Sequence, residues 1–96
     1  MTYRLSRRAQ QDVREIWAYI ARDSVDAAGR VENAFAEAAE RLCLFPGMGH
    51  PRDDSPNPNY LFWPVYSYLL VYRVRGKTLT IVRIIDGRRN VRRALK

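Results

Sequence analysis

The sequence predicts an α+β fold in which an N-terminal strand and an antiparallel helix hairpin are followed by a three-stranded antiparallel meander, with one sheet packed on the helices. Apolar residues recur every three or four positions from Ala9 to Leu42, which is the period of amphipathic helices. Beyond residue 59, β-branched and aromatic residues gather in short runs that are typical of strands. A chain of 96 residues has the length of one domain, so we expect residues 1–96 to form a single unit.

The first half begins with a short strand, Thr2–Leu5, and continues with two helices. Ser6 and Ser24 each precede an apolar stripe and can cap a helix, because the hydroxyl accepts from free N–H groups of the first turn. The first stripe comprises Ala9, Val13, Ile16, Trp17 and Ile20, with Asp12, Arg14, Glu15 and Arg22 off it. The second comprises Ala27, Ala28, Val31, Ala34, Phe35, Ala38 and Leu42. The short connection predicts antiparallel packing.

The second half is predicted to contain a loop and a three-stranded meander. Phe45-Pro46-Gly47 ends the second helix, and residues 46–59 hold four of the five prolines, which indicates a loop. Residues 60–63 read as a strand stopped by Pro64, followed by strands at 68–75 and 78–85. Gly76-Lys77 has the composition of a two-residue II′ hairpin turn.

The hairpin turn assigns the side chains of the last two strands to two faces. We expect the first face to pack on the helices, and it holds Tyr68, Leu70, Tyr72, Val74, Leu79, Ile81 and Ile85. The opposite face holds Arg73, Arg75, Thr78 and Thr80, then Val71, Val82 and Ile84. This second face is expected to be partly polar and partly available to a partner.

Positive charge is concentrated at the C-terminus. Residues 83–96 contain six basic residues and one acidic residue, a net of +5 out of +7 for the whole chain. Such a block favours an anionic partner, either nucleic acid or an acidic protein segment, over a merely solubilising tail. The single cysteine, Cys43, excludes a disulfide framework, and the N-terminus shows no signal peptide, so a cytoplasmic protein is expected.

Motifs for cofactor or metal chemistry are not found in the sequence. It has no glycine-rich phosphate loop and no metal-ligand spacing, so we expect neither cofactor nor metal. His50 is the only histidine and lies in the predicted loop. The remaining candidates are arginines, whose planar donor fork suits phosphate and carboxylate groups. For Arg73 and Arg83 the alternative role is an ion pair with a helix carboxylate.

Three segments and their order carry a resemblance to a known superfamily. They are "DVREIWAYIA" at 12–21, "LCLFPGMGHPR" at 42–52 and "YLLVYRVRGKTLTIVRIIDGRRN" at 68–90. With these segments the chain resembles the ParE/RelE superfamily, the toxins of type II toxin–antitoxin modules, including plasmid-stabilisation modules. The resemblance implies a toxin that inhibits growth and is neutralised by a cognate antitoxin in a hetero-oligomeric complex.

Two activities are known in that superfamily, and the residues favour one of them. RelE-like members cleave mRNA on the ribosome with a charged cluster, whereas ParE-like members bind DNA gyrase and are not nucleases. Leu69 stands where RelE-like sequences carry a basic residue, residues 60–63 lack the usual lysines, and Leu95 replaces a tyrosine. "VYRV" and "RIIDGRRN" are closer to the ParE-like pattern, although Asp86 replaces its usual histidine.

The resemblance implies a target-binding set at the C-terminus, consisting of Arg83, Asp86, Arg88, Arg89, Arg92 and Arg93. If the chain is instead an endoribonuclease, its catalytic set would be Arg52, Arg73, Arg83, Arg89 and His50. A third reading is a degenerate toxin that retains only antitoxin binding. In each reading the antitoxin is expected to be acidic and to fold on the toxin, as a helix in a groove or as an added strand.

Overall fold

The computed structural model describes residues 1–96 and shows two long helices on one four-stranded sheet. The elements in chain order are β1 (Thr2–Leu5), α1 (Arg7–Ala21), α2 (Val25–Leu44), β2 (Leu61–Val65), β3 (Tyr68–Arg75), β4 (Thr78–Asp86) and a short α3 (Val91–Ala94). The predicted α+β class, the helix hairpin and the meander are confirmed. No helix in the structure contains an apolar stretch that could span a bilayer.

The sheet has the strand order β1-β4-β3-β2. β2, β3 and β4 form the predicted antiparallel meander, while β1 pairs with β4 in parallel. A parallel partner needs a long crossover, and the helix hairpin supplies part of it. β1 and β2 are therefore the two edges of the sheet.

The two helix starts form as predicted from the serines. The Ser6 hydroxyl accepts from the Ala9 N–H and the Ser24 hydroxyl from the Ala27 N–H, each at 3.0 Å. Gly76 has φ +58°, which suits the first position of the predicted hairpin turn. The helices cover one face of the sheet, and the buried core there consists of Ala9, Phe35, Ala39, Leu42, Val65, Leu70, Tyr72, Leu79, Ile81 and Ile84.

Strand β2 differs from the prediction at Pro64. Proline was expected to stop the strand, yet β2 continues to Val65, and Pro64 pairs with Leu69 of β3. β2 is the edge strand, so the missing N–H of proline need not interrupt a ladder on both sides.

A β-bulge reverses the predicted faces at the end of β4. The register shifts between Val71 and Tyr72, so Val71 pairs with Arg83 and Tyr72 with Ile81, leaving Val82 unopposed. One extra residue exchanges the two faces beyond it. Ile84 therefore joins the core under the helices and Ile85 lies on the opposite face, the reverse of the assignment from the turn.

The second face of the sheet is covered in part by the chain's own C-terminus. Val91 and Ala94 of α3 pack against Phe62, Val71 and Ile85, and together these residues form a second buried cluster. The expectation that the apolar part of this face is available to a partner is therefore wrong for this cluster. The basic tail is anchored because its apolar residues recur at the spacing of one helical turn.

The 46–59 loop is held to the core by a buried tyrosine. The Tyr72 hydroxyl donates to the Pro46 carbonyl at 2.7 Å and accepts from the Gly49 N–H at 2.9 Å. Further along, His50 and Phe62 exchange two backbone hydrogen bonds, which cover part of the outer edge of β2.

Candidate functional site

The end of β4 is fixed against the turn that joins β2 to β3. The Gly87 N–H donates to the Ser67 carbonyl at 2.8 Å, and a Cβ at Gly87 would lie 2.9 Å from that oxygen. Glycine is required here by this close backbone approach. Asp86 pairs with Tyr68, so the segment that follows β4 begins from a rigid position.

Asp86 orders the first arginine of the basic segment. Its carboxylate accepts from the Arg88 backbone N–H at 2.9 Å and from the Arg88 guanidinium at 3.1 and 2.9 Å. These bonds from Arg88 lower the pKa of Asp86 to about 2. The Arg88 side chain is nevertheless 84% exposed, so its charge is both oriented and accessible.

Arg83 is committed to the interior of the domain. Its guanidinium donates to the Asp12 carboxylate at 2.8 and 3.3 Å and to the Ala94 carbonyl at 2.7 Å. Of the two roles open for Arg83 in the sequence, the ion pair with a helix carboxylate is the one the structure shows. Asp12, expected off the apolar stripe, is 4% exposed because this pair holds it inward.

The other arginines of the predicted target-binding set are on the surface. Arg89 follows the Asp86–Arg88 turn, and Arg92 and Arg93 lie on the exposed side of α3, opposite Val91. The helix start is capped by the Asn90 side chain, which accepts from the Arg93 N–H at 3.0 Å. Arg88, Arg89, Arg92 and Arg93 therefore form a basic surface carried on an ordered segment.

A cleft of about 290 Å³ lies between α1 and the end of β4. Its lining joins Asp86, Arg88 and Arg89 to α1, and it comprises Arg8, Asp12, Glu15, Ile16, Tyr19, Tyr68, Ile84, Ile85, Asp86, Arg88 and Arg89. Sequence reasoning missed the α1 residues of this cleft. The signal was present as a second stripe, Arg8, Asp12, Glu15 and Tyr19, at helical spacings of 4, 3 and 4 beside the apolar one.

The residues of the nuclease alternative are distributed over the molecule. Arg52 pairs with Asp54 at 2.9 Å and lies 5.7 Å from the centre of the Phe62 ring. In the register of β3 and β4, Arg73 lies opposite Thr80. Asp86, three residues before Arg89, lies opposite Tyr68. Tyr68 and Arg73 are five residues apart on one strand, or roughly 16 Å. Arg73 and Arg89 therefore lie toward opposite ends of the sheet, and Arg83 is occupied by Asp12.

Arg73 has one unusual feature. Its Nε–H is buried and has no hydrogen-bond partner. A buried donor without a hydrogen-bond partner typically costs about 1–3 kcal/mol.

The fold is shared with a chain of known structure. The structure superposes on a chain of the chromosomal ParDE toxin–antitoxin system from P. aeruginosa with a TM-score of 0.74, covering 90% of this chain and 95% of that one at 22% identity. This likeness concerns the fold alone.

The sequence comparison assigns the family. Residues 3–91 match the model of the ParE toxin of the type II toxin–antitoxin system parDE, and the chain belongs to this family. It is 34% identical over 91 residues to Toxin ParE1 of Caulobacter vibrioides, covering 94% of this chain and 93% of that protein. It is 36% identical over 62 residues to Toxin ParE3 of the same organism, covering 65% of this chain and 57% of that protein.

Proposed function

We propose that this ParE-family toxin inhibits growth by binding DNA gyrase and trapping it on DNA, without chemistry of its own. The observation that carries the proposal is the Asp86–Arg88 pair, which presents an oriented and exposed guanidinium at the end of β4. Membership of the ParE family supports the same mode of action. The protein would meet its target in the cytoplasm.

The geometry of the C-terminal segment suits binding. Asp86 holds Arg88 through two side-chain bonds, and α3 is anchored by Val91 and Ala94. Side chains that are ordered before binding lose less conformational entropy when a complex forms. Arg88 and Arg89 are the residues proposed to touch the target directly, with Arg92 and Arg93 adding charge that attracts it.

Arg83 and Asp86 act differently in this proposal. Arg83 fastens α3 to α1 through Ala94 and Asp12, so its contribution to target binding is to hold the surface in place. Asp86 positions Arg88 in the same way. Substitutions at these two residues would change the shape of the surface before they change its charge.

We also propose a cognate antitoxin with an acidic segment that folds on this chain. A net charge of +7 attracts such a segment, and ion pairs of this kind accelerate association more than they tighten the complex. β1 is an edge of the sheet, so its outer side offers a place for an added strand. The other possible mode is an antitoxin helix that binds in a groove of the toxin.

A supercoiling and cleavage assay with purified DNA gyrase tests the proposal. We expect the toxin to inhibit supercoiling and to leave cleaved DNA covalently trapped on the enzyme. Growth arrest without any effect on gyrase, accompanied by cut transcripts on the ribosome, would replace the proposal with the endoribonuclease alternative. Antitoxin binding with no growth arrest would indicate a degenerate toxin.

A further inference from the structure

We infer that the cleft between α1 and the end of β4 is part of the target contact, with Tyr19 as its anchor, and that it receives a protein segment rather than nucleic acid. This inference rests on the proposed function and extends its surface from the C-terminal arginines to α1. The segment would bring a carboxylate to Arg88 and an apolar or aromatic side chain to the cleft beside Tyr19.

The geometry places Tyr19 and Arg88 on one cleft. Tyr19 is the last member of the stripe Arg8, Asp12, Glu15 and Tyr19, and all four residues line the cleft together with Arg88. Ile16 and Ile84 contribute apolar lining. At about 290 Å³ the cleft has room for one or two side chains of a partner.

The aromatic residues at this end have the character of an interface. Tyr19 is 69% exposed although its ring is large and apolar. Tyrosine and arginine are, with tryptophan, the side chains most enriched where protein interfaces carry their binding energy. Tyr68 lines the same cleft, and burial raises its pKa, with a further rise from the Asp86 carboxylate.

The neighbouring turn adds a second exposed tyrosine. Tyr66 lies next to Ser67, whose carbonyl binds Gly87, and it is the one residue other than glycine with a positive φ, at +53°. Tyr66 is 68% exposed. An aromatic residue in the left-handed region carries strain, and such strain gathers at binding sites.

The charges of the cleft favour a protein partner over a nucleic acid. Asp12, Glu15 and Asp86 line it together with three arginines, so charges of both signs are mixed there. Arg8 lies 3.5 Å from Asp12 and 3.8 Å from Glu15, and Arg88 lies 2.9 Å from Asp86. A polyphosphate needs a continuous cationic track, whereas a protein segment can match discrete charges of both signs.

Alanine substitution at Tyr19 tests the inference, with Phe45→Ala as the matched control. Phe45 is 62% exposed and adjoins Leu44. Leu44 lies beside Met1 and Thr2, near the start of β4, so Phe45 is remote from the cleft at the end of that strand. Each protein is titrated into the gyrase cleavage assay and expressed in cells to score growth arrest. The thermal unfolding of each protein and its binding to plain duplex DNA are measured in parallel. Tyr19→Phe is carried through the same assays.

We expect Tyr19→Ala to weaken gyrase trapping by roughly tenfold or more at unchanged thermal stability, and Phe45→Ala to trap like the wild type. Tyr19→Phe is expected to retain most of the effect, since the ring fills the cleft. If Tyr19→Ala traps gyrase as efficiently as the wild type does, the inference is overturned while the proposed function stands. A parallel loss of plain DNA binding would also overturn it, because the cleft would then receive nucleic acid.

Failure of the proposed function gives a different pattern. A wild-type chain that arrests growth but leaves gyrase untouched would refute gyrase as the target. Under that result, growth arrest retained by Tyr19→Ala overturns the inference as well. Arrest lost only in Tyr19→Ala, with plain DNA binding unchanged, supports the cleft as the contact for another protein.

Discussion

The Asp12 carboxylate binds both the side chain of Arg83 and the backbone of the next residue. It accepts from the Arg83 guanidinium at 2.8 Å and from the Ile84 N–H at 3.0 Å. β1 pairs with β4 only as far as Ile81, so Asp12 takes the place of a strand partner beyond that point. Arg83 continues to the Ala94 carbonyl and thereby links α1 to α3 around the edge of the sheet.

Removal of this carboxylate is expected to destabilise the domain strongly. Asp12→Ala leaves Arg83 with an unpaired, largely buried charge and the Ile84 N–H without an acceptor. Breaking a buried pair from one side typically costs about 3–5 kcal/mol, and urea unfolding followed by circular dichroism measures it. Glu37→Ala, at an exposed site on α2, is the control, with an expected change within about 0.5 kcal/mol. Equal stability of the two variants would contradict this role of Asp12.

Two loop glycines are expected to respond differently to alanine. A Cβ at Gly49 would lie 2.5 Å from the Tyr72 hydroxyl, whereas one at Gly47 would meet nothing within 4 Å. Tyr72 is fully buried and cannot retreat easily, so Gly49→Ala should lose about 1–3 kcal/mol of unfolding free energy. Gly47→Ala should leave it unchanged or raise it by up to about 1 kcal/mol, because alanine restricts the unfolded chain. Melting temperatures compare the two.

The Asp86 carboxyl should titrate far below its ordinary range. Bonds from Arg88 hold its pKa at about 2 rather than 3.8, so the folded state favours the charged form. This contribution to stability is complete above pH 3.8 and is lost as the pH falls through about 2. Arg88→Ala should raise the pKa of Asp86. The backbone N–H of residue 88 remains in the variant and should still lower this pKa in part. Carbon-detected NMR titration measures both proteins, and equal pKa values would show that the pair does not form in solution.

The apolar side of α3 should contribute to stability, and its basic side should not. Val91 is 3% exposed and packs on the second face of the sheet, so Val91→Ala should cost about 1–3 kcal/mol for its two buried methyl groups. Arg92→Ala, on the exposed side of the same helix, should stay within about 0.5 kcal/mol. Hydrogen exchange at the Ala94 and Leu95 amides reports the helix directly. Fast exchange there in the wild type would mean that the tail is not folded.

The features predicted correctly from the sequence are those set by local physics. Ser6 and Ser24 cap helices through their own hydroxyls, and Gly76 adopts the positive φ of its turn. The two caps and the turn each depend on residues that are neighbours in the sequence. The family resemblance rests on such local segments taken in order, and it is confirmed.

The features that were missed depend on residues far apart in the chain. The bulge at Val71 and Tyr72 exchanges Ile84 for Ile85 on the core face, and these two apolar residues do not reveal it. The one local sign is Arg83, which strict alternation from the turn would place under the helices. Asp12 looks like a solvated helix residue until Arg83, 71 positions later, is brought beside it. The cleft likewise requires Tyr19 and Arg88 to be placed together by the packing of α1 on β4.

The most direct test compares two double variants in the gyrase cleavage assay. Arg88→Ala/Arg89→Ala removes two exposed positive charges at the end of β4, and Arg14→Ala/Arg30→Ala removes two from exposed sites on the helices. We expect the first variant to trap gyrase roughly tenfold less efficiently than the wild type, or worse, and the second to match the wild type. Equal trapping by both variants would contradict the assignment of the C-terminal arginines to the target surface.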